Sequence, residues 1–209
     1  MAAAVVLLHG LWMRGPVMSP LALRLQAAGF AVHLFSYPTR QRPSAANARS
    51  LAEFVAALGE PVVHCVGHSL GGLVLRHYAA SDEPARPGRF VTLGTPHRGS
   101  FAAGRVARLA PGGEWLLGAS LDRALLGDAP PWDGRRELGS IAGTLPVGLG
   151  RIFPRLPRPN DGVVTVAETR LEGAADHITL PVNHLGLLLA PRVARQVAHF
   201  LAHGRFRHD

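Results

Sequence analysis

The chain has 209 residues, of which 47% are hydrophobic and 17% charged, with a formal net charge of +8 at pH 7. That length suits one domain with a single core and room for one insertion, and the apolar content excludes a disordered chain, a collagen and a coiled coil. The lone cysteine, Cys65, excludes an internal disulfide and a multi-cysteine zinc site.

The positive charge does not read as a nucleic-acid signal. All 22 permanently positive residues are arginines, spread from Arg14 to Arg207 with no run longer than Arg135-Arg136, whereas a phosphate-tracking surface shows local clusters. No nucleic-acid partner is expected, although a positive surface can still steer anionic substrates or lipid head groups.

Residues 1–8 are apolar but lack the positive n-region and the small-residue cleavage site of a signal peptide. No stretch reaches the ~18–20 uninterrupted apolar residues of a membrane span. With one cysteine, the expectation is a soluble, cytoplasmic protein without an integral membrane segment.

Residues 4–8 are continuously apolar and stop at Gly10, which predicts a buried strand. A helical pattern over 18–28 is halted by Gly29, and a second strand over 31–37 ends at Pro38. A helix follows near 47–58, with Leu51, Phe54, Val55 and Leu58 on one face, then a buried strand over 61–66. Gly67-His68-Ser69-Leu70-Gly71-Gly72 leads into a helix over 73–80, and the next strand covers 89–93. From about 98 to 136 the alternation is lost, and Trp115, Leu116, Leu117, Leu121, Leu125, Leu126 and Trp132 mark a cap or lid insertion. Strand patterns resume at 141–145, 163–166 and 177–182, and a helical pattern over 185–203 closes the chain. This alternation predicts an α/β fold, a mostly parallel central sheet with helices on both faces, built as one domain over 1–209.

Gly67-His68-Ser69-Leu70-Gly71 matches G-x-S-x-G and lies between an apolar strand and an amphipathic helix. A nucleophile on such a turn is held in a strained backbone conformation, and bulky neighbours would collide with the strand and helix. The turn lifts Ser69 Oγ above the sheet edge and aims the first helical N–H groups, that of Leu70 among them, at an oxyanion formed there. The bland alternative is a glycine-rich turn with an incidental serine. His9-Gly10-Leu11-Trp12 follows the first strand, where the second oxyanion donor of such a site arises, so the Leu11 N–H is the expected partner. Trp12 either walls the acyl pocket or packs under this loop; with His68 it is a candidate substrate contact.

A serine needs a base, and the base a carboxylate that fixes its tautomer. In sites built on such a strand–turn–helix elbow, both follow the nucleophile in the chain. Of the late histidines, His184 opens the final helix after the last strand pattern; His177 starts that strand at its distant end, His199 and His203 fall within the helix, and His208 is at the tail. For the acid, Asp161 sits in Asn160-Asp161-Gly162, and the bland reading there is an Asx turn. Its competitor, Asp176, precedes the strand before His184 and at about 3.3 Å per residue would lie ~20 Å away.

The set His9-Gly10, Gly67-His68-Ser69-Leu70-Gly71-Gly72, Thr95-Pro96-His97-Arg98-Gly99-Ser100, Asn160-Asp161-Gly162-Val163-Val164 and His184 resembles the α/β-hydrolase superfamily. More narrowly, it is similar to small bacterial lipases and esterases, including the group related to GPI inositol-deacylase. The resemblance covers nearly the whole chain with its motifs in order. It implies hydrolysis of an acyl ester or lipid through an acyl-enzyme, with Ser69 as nucleophile, His184 as base and then acid, Asp161 as orienter, and no metal or other cofactor. The segment around His97 is expected to shape the pocket. The short insertion makes interfacial activation doubtful, though peripheral contact with lipid stays open. The same residues would also serve a thioesterase, an acyltransferase or a catalytically silent binding module.

Overall fold

In the computed structural model the described residues are 2–81, 86–109, 125, 127, 129–147 and 156–208, with backbone alone for 106–109. Six strands form one sheet: β1 (Ala4–Leu8), β2 (Ala31–Phe35), β3 (Val63–His68), β4 (Phe90–Leu93), β5 (Leu138–Gly143) and β6 (Asp176–Leu180). The spatial order is β2-β1-β3-β4-β5-β6, and every neighbouring pair is parallel. The helices are α1 (Ser19–Ala27), α2 (Ser44–Ala56), α3 (Leu70–Ala79), α4 (Phe101–Leu109), α5 (Gly186–Leu189) and α6 (Pro191–His203).

A central parallel strand is covered on both faces, so it must be apolar throughout. In β1 all five residues are buried: Ala4, Val6 and Leu8 face Leu51, Val55, Leu73 and Val74 of α2 and α3, while Val5 and Leu7 face Leu21, Leu25, Leu187, Val197 and Phe200 of α1, α5 and α6. The expected two-faced sheet is therefore present.

This arrangement places a crevice at one point. After β1 the chain adds β2 on one side, then returns to lay β3 on the other, with Leu8 paired to Gly67. The loops leaving β1 and β3 run to α1 and α3 on opposite faces, and ligands of such sheets lie where these loops part.

Three local expectations change. The 163–166 segment is not a strand: residues 160–169 form turns with a single antiparallel bridge, Asn160 to Thr165. The reason is competition from carboxylates, since Asp161 Oδ1 accepts the Val163 and Val164 N–H groups and Glu168 Oε2 accepts that of Thr165. The closing helix is broken at Ala190, which is extended at ψ 127° because the following Pro191 disfavours the helical region. The β3–α3 turn shrinks to Ser69 alone, since β3 runs to His68 and α3 begins at Leu70. In the 98–136 region, α4 is the described element; Trp115, Leu116, Leu117, Leu121 and Leu126 lie outside the described residues. Leu125 and Trp132 are buried in the core, the latter's ring 5.8 Å from that of Phe90.

Candidate active site

Ser69 stands at the C-terminal end of β3 with φ 53° and ψ −119°, a left-handed conformation that a non-glycine residue adopts at a cost. The surroundings hold it there. Its N–H donates to Leu93 O of β4 at 2.9 Å, and its carbonyl accepts from Thr95 Oγ1 at 2.9 Å. So tight a turn leaves no room for side chains: a Cβ on Gly67 would lie 2.6 Å from the Gly71 carbonyl carbon, and one on Gly72 only 2.1 Å from Thr95 Oγ1. The glycines of the motif are thus contact requirements.

The loop after β1 closes on this turn, for a Cβ on Gly10 would lie 3.1 Å from both Ser69 Cβ and His68 Nδ1. His9 anchors the loop. Its ring stacks on Tyr37 at 4.4 Å and accepts the Tyr37 N–H at Nε2, while the Tyr37 hydroxyl donates to His9 O at 2.6 Å. Nδ1 therefore carries the proton, directed at Gly10 O at 3.0 Å, and burial lowers the His9 pKa. Leu11 and Leu70 both line a cavity with Ser69, and among the described residues neither N–H has a hydrogen-bond partner. Two such groups beside one hydroxyl are suited to receive an anionic oxygen.

His184 and Asp161 meet across this edge. His184 Nδ1 lies 2.7 Å from Asp161 Oδ2, and the His184 N–H donates to Asp161 O at 2.9 Å. Asp161 is 1% exposed and divides its carboxylate between two tasks: Oδ1 makes the Asx turn to the Val163 and Val164 N–H groups at 2.9 and 2.8 Å, and Oδ2 meets the imidazole. One carboxylate thus makes both the Asx turn and the contact with His184. Ser69 and His184 line the same cavity of about 130 Å³, whose other walls include Trp12, Met13, Pro96, Val163, Val164 and Leu125. Trp12 is accordingly a wall of the cavity and, at 52% exposure, is not packed under the loop.

Residues 5–207 match the alpha/beta hydrolase family. The chain belongs to that family. Two triacylglycerol lipases, from Pseudarthrobacter phenanthrenivorans and Burkholderia plantarii, are each 35% identical to it over 82 residues, 36% of this chain, and the match spans only 25% and 23% of their lengths. Among solved structures, the mature Bacillus licheniformis lipase superposes with a TM-score of 0.74 at 19% identity, covering 96% of this chain and 91% of that one. A metagenomic carboxyl esterase superposes with a TM-score of 0.73 at 21% identity, over 96% and 75% respectively. The relatedness thus reaches lipases and esterases; the narrower group around GPI inositol-deacylase is not reached by these comparisons.

The other sequence candidates of this alpha/beta hydrolase fall elsewhere. Asp176 opens β6 at the end remote from Ser69, where it accepts from Phe206 N–H at 2.8 Å and pairs with His208 at 2.9 Å. His177 faces Thr169 Oγ1 at 2.9 Å, and the rings of His199 and His203 meet at a tilt, 4.4 Å apart, along α6. His68 borders the cavity but is fully buried, and its Nε2–H donates to His184 O at 3.1 Å. Burial, and then the neighbouring His184, holds its pKa well below the usual histidine range. Burial pushes the Cys65 thiol up to about 12, so it carries no thiolate near neutral pH. Among the described residues no three His, Cys, Asp or Glu side chains could together hold a metal ion, and no helix is long and apolar enough to cross a membrane.

Two contributors escaped the sequence reading. Gly94, at φ 57°, sits behind the Asp161–His184 pair; a Cβ there would be 3.0 Å from both Asp161 Oδ2 and His184 Nδ1. The buried Arg76 guanidinium donates to His97 O, Ala129 O and Pro130 O, tying α3 to both ends of the insertion. His97 is buried under this tie and bonds Thr92 Oγ1 at 3.0 Å, so within its segment it is Pro96 and Ser100 that line the cavity. A glycine before Thr-Pro and an arginine inside an apolar helix were the available signals.

Proposed function

We propose that the protein is a serine carboxylester hydrolase, an esterase of apolar acyl esters acting through an acyl-enzyme. The observation that carries this reading is the 2.7 Å contact of His184 Nδ1 with Asp161 Oδ2, made at the same cavity that Ser69 lines. With Nδ1–H donating its hydrogen bond to the Asp161 carboxylate, Nε2 is bare and is the nitrogen able to take a proton. Ser69 Oγ attacks the ester carbonyl carbon and its proton passes to His184 Nε2. The carbonyl oxygen becomes anionic and accepts the Leu11 and Leu70 N–H groups. Collapse breaks the bond to the alcohol oxygen, which leaves with the proton from His184. Water then repeats the sequence on the acyl-enzyme, its proton going to His184 and on to Ser69 as the carboxylic acid departs. Kinship with the lipases related to GPI inositol-deacylase is part of this proposal and rests on the motif set.

The cavity is apolar and, at about 130 Å³, small beside the ~300–1,000 Å³ of ordinary ligand clefts. It favours short acyl chains. The test is hydrolysis of p-nitrophenyl esters from acetate to palmitate with Ser69→Ala alongside. Turnover is expected to peak at acetate to butyrate and to vanish in the variant. A folded wild type inactive on every ester, or a variant as active as wild type, overturns the reading.

A further inference from the structure

A second recess adjoins the apolar cavity. It lies between the loop after β1 and the loop after β2, is lined by Arg14, Arg40, Ser36 and Thr39, and shares Trp12 and Met13 with the cavity as a common wall. Among the described residues its lining holds two arginines and no acidic residue. Among the described residues Arg14 enters no ion pair. The recess is also built: Trp12 N–H donates to Thr39 Oγ1 at 3.2 Å and Gly15 N–H donates to Ser36 Oγ at 3.1 Å, so the two loops are tied to each other.

The dividing residue is itself unusual. Trp12 takes a left-handed backbone at φ 60° yet leaves half its surface exposed. A bulky residue rarely adopts that conformation, and such outliers collect at sites that bind ligands. The conformation sets the indole between an apolar recess and a basic one. Four residues of chain thus run from Leu11 in the cavity wall, through the Trp12 partition, to Arg14.

We propose that the basic recess is the leaving-group subsite, and that the enzyme prefers short-chain esters whose alcohol portion carries an anion, a phosphate or a carboxylate. This rests on the hydrolase reading: with the acyl chain in the apolar cavity and the carbonyl oxygen at Leu11, the alcohol portion passes Trp12 toward Arg14 and Arg40. Guanidinium groups suit both anions, because their planar N–H forks meet two oxygens at once.

The test compares matched substrates by titrating the acid released: 1-butyrylglycerol 3-phosphate against 1-butyrylglycerol, and 2-butyryloxypropanoate against its amide. In wild type, kcat/KM is expected to favour the charged member by about tenfold at low salt, and the pair with the larger ratio names the anion. The ratio is expected to fall toward one in Arg14→Gln/Arg40→Gln and in ~1 M salt, where the screening length is about 3 Å. A wild-type ratio near one, or a ratio the double variant leaves intact, overturns the proposal. A readout needing neither turnover nor a variant is the Tm of wild type, which glycerol 3-phosphate is expected to raise and glycerol not; equal effects overturn it too. Hydrolysis of p-nitrophenyl butyrate without discrimination in the matched pairs sinks the subsite alone, whereas no turnover of any ester sinks the hydrolase reading.

Discussion

Replacing Asp161 by Asn tests the chemistry with little change of shape. Two N–H groups, of Val163 and Val164, point at Oδ1, while Oδ2 faces His184 Nδ1. An Asn side chain has one acceptor oxygen, and the two backbone donors claim it. Its NH₂ must then face His184 and donate to Nδ1. The imidazole is forced to carry its proton on Nε2, the atom that in the proposed mechanism accepts one from Ser69. A wrong tautomer in a geometrically intact site lowers the rate by about 10⁴-fold, or about 5.5 kcal/mol of barrier at ~1.36 kcal/mol per decade. Every hydrogen bond is otherwise replaced, so stability is expected to stay within about 1 kcal/mol of wild type. Asp161→Ala would be a poorer experiment, because it strands the two N–H groups at about 1–3 kcal/mol each and mixes folding with chemistry. The assay is kcat/KM for p-nitrophenyl butyrate from pH 6 to 10, beside urea unfolding of both proteins. An Asn variant within tenfold of wild type would refute the assignment of Asp161 as the orienting acid.

Gly94→Ala puts a methyl 3.0 Å from both Asp161 Oδ2 and His184 Nδ1 at a φ of 57°; we expect about 1–3 kcal/mol lost in stability and kcat/KM down by about 10²-fold from the displaced pair. Unchanged kinetics would mean that the pair tolerates movement. Arg76→Leu removes the donors to His97 O, Ala129 O and Pro130 O, and at about 1–3 kcal/mol per stranded carbonyl urea unfolding should show a loss of about 3 kcal/mol or more; a loss below about 1 kcal/mol would show that water replaces the guanidinium. Acid sensitivity follows from buried histidines: burial, and then nearby charge, lowers His97 to about 3 and His64 to about 4 in the fold, against about 6.5 unfolded. Below pH 6.5 the unfolded chain binds protons the native state does not, so stability is complete above that pH and declines as pH falls toward 4 and 3. From pH 6.5 to 5 His97 alone withdraws about 2 kcal/mol, and His64 up to as much again. Urea unfolding at pH 7 and 5 reads this directly, and equal stability at the two values would contradict it.

Local chemistry made much of the molecule legible from residues alone. Residues 4–8 emerge as β1 without a residue's change, because a run with no polar side chain has to be covered on both faces. Gly67, Gly71 and Gly72 marked the Ser69 turn, and their crowding against backbone and Thr95 explains why nothing larger stands there. Chain order after that turn reduced eleven histidines to five late ones, and placement at the end of the last strand pattern singled out His184 among them. Pro191 was in view as well, yet the helical periodicity around it was given more weight than the restriction a proline imposes on Ala190.

What tertiary structure alone decided are pairings between residues far apart in the chain. The two oxygens of Asp161 serve different partners only because β5 and β6 lie side by side and bring residue 184 to residue 161. The same juxtaposition makes Gly94 a steric requirement and sets His68 under His184 across 116 residues. It turned the 163–166 stretch, apolar enough for a strand, into turns whose N–H groups are claimed by Asp161 and Glu168. Periodicity in a sequence reports which face of an element is buried, whereas the identity of the atom a buried donor or acceptor meets depends on strand order, and that is settled only when the sheet closes.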